Sequence, residues 1–168
     1  SGCGNTVNAN HPIVEKFILD CLHYWVEEMH VDGFRFDEGS VLHRGADGAP
    51  MDFPPVVWGI ELSEKLADTK VIAEPWDAGG LYDVGRFPGS RWSEWNGRFR
   101  DDVRRFVRGD LGLVSTLATR IAGSMDMYYG VGRGPAEAGL RQVLPHQAAH
   151  VRVVRERPSL EGGQHCVG

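Results

Sequence analysis

Early in the chain, apolar residues recur at three- and four-residue steps: Val14, Phe17, Ile18, Cys21, Leu22, Trp25 and Met29. That spacing lines one side of an α-helix and predicts an amphipathic helix lying on a core. Asn10, His11 and Pro12 mark its start, because a capping residue followed by proline suits the first turn, where backbone N–H groups have no helical partner. The period then changes to two. In Val-Asp-Gly-Phe-Arg-Phe-Asp, residues 31–37, a strand would place Phe34 and Phe36 on one face and Gly33, Arg35 and Asp37 on the other. A second helix is predicted over 54–69, opened by Pro54 and Pro55, with Trp58, Leu62 and Leu66 at four-residue steps. Lys-Val-Ile-Ala-Glu-Pro-Trp, 70–76, follows as a short buried strand stopped by Pro75.

Strand, loop, helix and strand within about forty residues make a βαβ unit, so the two strands are expected to be parallel and joined by a right-handed crossover. A third strand near Trp92 to Asn96 and a charged helix with Phe99, Val103 and Phe106 as its inner edge extend the alternation. Residues 113–124 read as one more short helix. The predicted class is α/β with a parallel sheet.

This organisation makes the charges of 31–40 significant. Parallel sheets gather their active residues at the carboxyl ends of the strands. Asp37 ends the first strand and Glu74 nearly ends the second, so adjacent strands would bring two carboxylates to one pocket. Such a pair can cleave a glycosidic bond with retention when the carboxyl groups stand about 5–5.5 Å apart, close to the roughly 4.7–4.9 Å between neighbouring strands. Arg35, on the face of Asp37, would hold that carboxylate ionised and oriented. Glu74 lies between Ala73 and Trp76, apolar neighbours that favour the protonated, acid form. The same residues also fit a bare ion pair, or a divalent-metal site for enolate or phosphoryl chemistry. Spacing leaves these open.

A chain of 168 residues is long enough for one ordinary domain, and its net charge of −5 argues against a general nucleic-acid binder. No apolar run reaches the roughly eighteen residues of a membrane helix, and the N-terminal residues lack the basic-then-apolar order of a signal peptide. A start at Ser1 suggests a processed chain or a fragment. Cys3, Cys21 and Cys166 are odd in number and show no CxxC spacing, which suits reduced thiols better than a disulfide framework or a zinc knuckle. Charge and aromatics are uneven: residues 131–168 hold five Arg against three Glu and none of the Phe, Trp or Tyr. A boundary is therefore expected near Gly130, with a basic tail beyond it whose composition fits a change of reading frame or a disordered end better than a folded element. Within that tail, His146 and His150 have the spacing of a zinc pair but lack the Glu of HExxH, the arginines of 152–157 read as a solvated basic run, and Gly-Val-Gly-Arg-Gly is no dinucleotide loop.

The segments GCGNTVNANHP, VDGFRFD, VIAEPWDAGGLYDVGRFP and WSEWNGRFRDDVRRFVRGD resemble, in this order, the isoamylase-type glycogen and starch debranching enzymes of the α-amylase superfamily, glycoside hydrolase family 13. The resemblance covers about Ser1 to Tyr129. It implies a part of a (β/α)8 TIM barrel, its middle strands and helices, and hydrolysis of α-1,6 branch linkages in glycogen or a starch-like α-glucan. It maps the nucleophile onto Asp37, the general acid and base onto Glu74 and the carboxylate-orienting residue onto Arg35, and it puts Trp76 and Asp77 beside the sugar. Trp92 and Trp95 are further aromatic candidates, for each of which a place in the core is the bland alternative. The chemistry calls for no metal and no cofactor, and the expected partner is the polysaccharide, in a bacterial cytoplasm or a plastid, with no membrane and no nucleic acid.

The chain also departs from the family pattern. An early strand bearing an Asp shortly before Asn-His is missing, since Asn10-His11 opens a helix, and no His-Asp pair supplies the third carboxylate after residue 128. The isolated chain is accordingly expected to have little or no hydrolase activity. A non-catalytic α-glucan-binding or regulatory fragment and a metal-dependent barrel enzyme are the rival expectations.

Overall fold

The structure, a computed structural model, describes residues 1–2 and 4–128 and the backbone of 142–143. Its first helix, α1 (Pro12–Glu27), is capped by His11, whose Nδ1 accepts the Ile13 N–H at 3.3 Å. The strand β1 (Gly33–Phe36) follows, then a 3-10 turn at Gly39–His43 and the helix α2 (Pro55–Glu61). A second 3-10 turn, Glu64–Leu66, leads into β2 (Lys70–Ala73), which pairs parallel with β1 in the register Gly33 to Lys70 and Phe36 to Ala73. The parallel βαβ unit expected from the sequence is thus formed. Beyond it come β3 (Ser93–Trp95), α3 (Gly97–Val107), α4 (Val114–Ile121) and α5 (Met125–Tyr128).

The sheet is parallel, in the order β1, β2, β3 and then β4 (Gln142–Val143), which lies against β3 with Glu94 opposite Gln142. No strand was expected beyond residue 130. The boundary near Gly130, the frame-change reading of the tail, His146, His150, the arginines of 152–157 and the Gly-Val-Gly-Arg-Gly run fall outside the described residues.

Alternation along the strands separates core from site. Phe34, Phe36, Val71 and Ala73 share the face that packs on α1 and α2, together with Val56, Val57, Ile60, Leu66, Phe87 and Trp92. The Phe36 and Phe87 rings meet Trp92 at centroid distances of 4.9 and 5.0 Å, so Trp92 is a core residue and touches no solvent. Arg35 and Ile72 lie on the other face.

Both expected stripes reach this core only in part, through Ile18 and Leu22 of the first and Leu66 of the second. On α1 the inward residues are Ile18, Leu19, Leu22 and Val26, whereas Phe17 and Trp25, and Met29 just past the helix, are exposed. The reason lies in α2: a methyl group at Gly59 would stand 3.1 Å from Leu19 Cδ1, so the missing side chain lets the two helices meet along the Leu19 side. Helix α2 ends at Glu61 and buries Val56, Val57 and Ile60, leaving Leu62 exposed. The turn after it is tied back to α1 by His23 Nε2 and Ser63 Oγ at 2.8 Å. On α3, Phe99 and Val103 are half-buried as expected but Phe106 is exposed.

Candidate active site

The ends of β1 and β2 run on together past the ladder. The Glu74 N–H donates to Phe36 O at 3.0 Å and the Gly39 N–H to Glu74 O at 2.7 Å, so residues 37 and 74 leave the sheet at the same rim on neighbouring strands. Between them stands Arg35. Its Nη1 pairs with Asp37 Oδ1, its Nη2 with Glu74 Oε2 at 2.9 Å, and its guanidinium lies 4.1 Å from the centroid of the Trp95 ring. One planar cation thus joins both carboxylates while an aromatic face supports it, an arrangement that suits arginine's fixed fork of donors.

The two acids differ in access. The Asp37 side chain is 76% exposed and that of Glu74 14%, so a ligand reaches Asp37 first. Glu74 Oε2 also accepts the Glu38 N–H at 2.9 Å. Polar donors, more than the apolar neighbours read from the sequence, therefore define its surroundings. Glu38 owes this bond to a left-handed backbone, φ 43° and ψ 47°, a conformation that costs a non-glycine residue about 1–3 kcal/mol and collects at functional sites.

Trp76 and Asp77 separate. Trp76 stacks on Tyr82, with ring centroids 5.9 Å apart, and with Gly97, Arg98 and Arg100 it lines an open groove of about 410 Å³. The carboxylate of Asp77, expected to touch sugar, has no solvent exposure. Arg44 Nε and Nη2 both reach its Oδ2 at 2.7 Å, and its Oδ1 accepts the Leu81 N–H at 3.2 Å. Asp77 closes the loop after β2 and binds it to the loop after β1, with both carboxylate oxygens occupied inside the protein. Trp95, a candidate for sugar contact or for the core, carries Arg35 on its ring.

Three further features escaped the sequence reading. One is the Glu38 backbone. Another is Glu94 on β3, fully buried, whose Oε2 accepts the Gly85 N–H. The third is a cluster in which Asp83 Oδ2 accepts from Ser40 Oγ and from His43 Nε2, both at 2.8 Å. Burial alone would push the Asp83 carboxyl up, but the hydrogen bonds from His43 and Ser40, with the charge of Arg44 nearby, hold it below the usual carboxylate range. Only the chemistry of the side chains hinted at these groups, since nothing in their spacing links residues 40, 43 and 83. Among the described residues, no three His, Cys, Asp or Glu side chains are grouped to hold a metal, and no helix is long and apolar enough to cross a membrane.

Comparison with known proteins finds relatives by sequence and by structure. No family model matches the chain. It is 56% identical over 147 residues to isoamylase 3, chloroplastic, of Oryza sativa subsp. japonica, covering 87% of this chain and 19% of that protein. It is 45% identical over 137 residues to the glycogen debranching enzyme of Cronobacter sakazakii, covering 80% of this chain and 20% of that one. The rice alignment is long enough to pass residue 130. Among solved structures, the pullulanase of Anoxybacillus sp. LM18-11 complexed with maltotriose superposes with a TM-score of 0.58 at 26% identity, over 76% of this chain and 20% of the pullulanase. The chain spans about a fifth of the length of these relatives. Over that fifth, the chain is a homologue of the isoamylase-type glycogen and starch debranching enzymes.

Proposed function

We propose that the chain carries the catalytic pair of a hydrolase for α-1,6-glucosidic branch linkages in glycogen or a starch-like α-glucan, acting with retention. The observation that carries this reading is the Arg35 guanidinium held between Asp37 and Glu74 at the ends of two parallel strands. In the first step an oxygen of Asp37 attacks the anomeric carbon while Glu74, protonated, gives its proton to the departing glycosidic oxygen, leaving a glycosyl ester on Asp37. In the second, Glu74 takes a proton from water as the water oxygen displaces Asp37 from the anomeric carbon. The product keeps its starting configuration and both acids return to their initial states. Arg35 serves the first step by holding the Asp37 carboxylate aimed through their ion pair. Glu74 Oε2 is engaged by Arg35 and the Glu38 N–H, which leaves Oε1 as the oxygen to carry the proton.

In this reading residues 1–130 are the central βα units of a (β/α)8 barrel, 131–168 are a basic tail from which Gln142–Val143 adds to the sheet, and the protein works in a bacterial cytoplasm or a plastid. The parallel order of β1, β2 and β3 supports the first point. A chimera in which this chain replaces the matching segment of a full-length relative supplies the other strands. There, Glu74→Gln should lower kcat for branch release by about 10²–10⁴-fold, and Asp37→Asn by at least as much, with KM little changed. Full activity in either variant would end the catalytic assignment. The 168-residue chain alone should release little or no linear glucan from glycogen; release that Asp37→Asn abolishes would overturn that expectation.

The open groove beside the Trp76 and Tyr82 rings favours a second reading, an α-glucan-binding fragment without turnover. Retention on immobilised glycogen that survives Asp37→Asn combined with Glu74→Gln, in a chimera that shows no turnover, would select it.

A further inference from the structure

We propose that Asp83 is the positioning residue that sets the Glu38 N–H on Glu74, an inference that rests on the assignment of Glu74 as acid and base. Asp83 lies in the loop after β2, and its own N–H donates to Pro75 O at 2.7 Å, which ties it to the residue next to Glu74. Its carboxylate reaches across to the loop after β1, where it takes the Ser40 hydroxyl and the His43 ring on one oxygen. Ser40 is fully buried and His43 nearly so, and the Phe87 ring packs at 5.9 Å from the His43 ring.

Ser40 is separated from Glu38 by Gly39 alone, and the Gly39 N–H is bound to Glu74 O. The chain from 38 to 43 is therefore held to the β2 loop by its backbone at one end and by Asp83 at the other. A left-handed Glu38 is the conformation that spans those anchors and delivers its N–H to Oε2 of Glu74. A residue in that conformation reverts to an extended or helical backbone unless its surroundings hold it, and Asp83 supplies the hold. Arg44 and Asp77 make a second tie between the same two loops, which accounts for the loops staying paired while Asp83 governs the segment nearer the acids.

The test is an amide NMR comparison of the 168-residue chain with its Asp83→Asn and Ser40→Ala variants. In the parent, the Glu38 amide shift should follow the titration of Glu74 and lose that response in Glu74→Gln. In Asp83→Asn, it should lose the response with Glu74 intact, and the Glu38 amide should exchange roughly tenfold faster while the ladder amides of Phe36 and Ala73 change less. Asp83→Glu should restore part of both effects. Ser40→Ala, which keeps the His43 bond, is expected to give the same changes at smaller size and serves where Asp83→Asn does not fold. A Glu38 amide that still follows Glu74 in the folded variants, or that loosens only in step with Phe36 and Ala73, would overturn the proposal and leave Asp83 a purely structural residue. These readouts need no turnover, so an inactive chimera would count against the catalytic assignment and not against the tie.

Discussion

At Gly33 the backbones of β1 and β2 come together so closely that a methyl group there would lie 2.8 Å from Lys70 O. Gly33→Ala should therefore push the strands apart at the base of the site and destabilise the chain by about 1–3 kcal/mol, the usual cost of overpacking, read from the midpoint of urea unfolding. An unchanged midpoint would mean that the sheet gives way freely at this edge. Residues whose position follows from period and strand end were legible in the sequence: Arg35, Asp37 and Glu74 stand on the face and at the rim that alternation assigned to them. Asp77 was not. Its burial depends on Arg44, 33 residues away, and no local pattern records that a carboxylate so close to Glu74 is taken up by an ion pair. The left-handed Glu38 is hidden for a related reason. It is imposed by two anchored loops, and the residue type there is not one that prefers such a backbone.

Among the elements, α3, α4 and α5 are joined by one buried cation. Arg120 on α4 donates from Nε to Asp102 on α3 at 2.8 Å, and from Nη1 and Nη2 to Asp126 on α5 at 2.6 and 2.7 Å. Its side chain is 6% exposed. The Asp102 side chain is 15% exposed but that of Asp126 42%, so removing the cation strands one carboxylate and leaves the other to water, and Arg120→Ala should cost about 1–3 kcal/mol in chemical denaturation; a loss below about 0.5 kcal/mol would place the network with ordinary surface pairs. The Arg120 hydrogen bonds hold the Asp126 carboxyl below its ordinary value. A depressed carboxylate contributes stability that is present above its unfolded pKa, about 3.9, and fades as pH falls through the lower folded value. Asp126→Asn should thus be less stable than the parent near neutrality, with the gap closing in acid. A gap independent of pH would assign the loss to packing. The existence and order of α3 and α4 were legible, but the single turn of α5 was not expected, and which side of α1 faces inward was only partly legible. Apolar residues cover most of that helix, and the choice among several stripes was made by a glycine on its partner.

For the molecule as a whole, that choice leaves an apolar surface that none of the described residues covers. Ile13, Phe17 and Tyr24 share an exposed side of α1, with Trp25 half-exposed next to Tyr24, and β1 is an edge of the described sheet. Contiguous apolar area on this scale is uncommon on monomeric proteins and promotes association, as does an open strand edge. The chain should accordingly self-associate as its concentration rises, with sedimentation velocity showing a growing fraction of larger species. Pairing Ile13→Glu with Phe17→Lys separates the helix face from the strand edge as the cause. The new residues stand four apart in the order that favours a helical ion pair, and the acid lies in the first turn, where the helix dipole favours it. Neither position belongs to the core, so stability should stay within about 0.5 kcal/mol of the parent while the monomer fraction rises at every concentration. If the association profile of the double variant matches that of the parent, the face of α1 is not where copies meet, and the exposed edge of β1 becomes the surface to block.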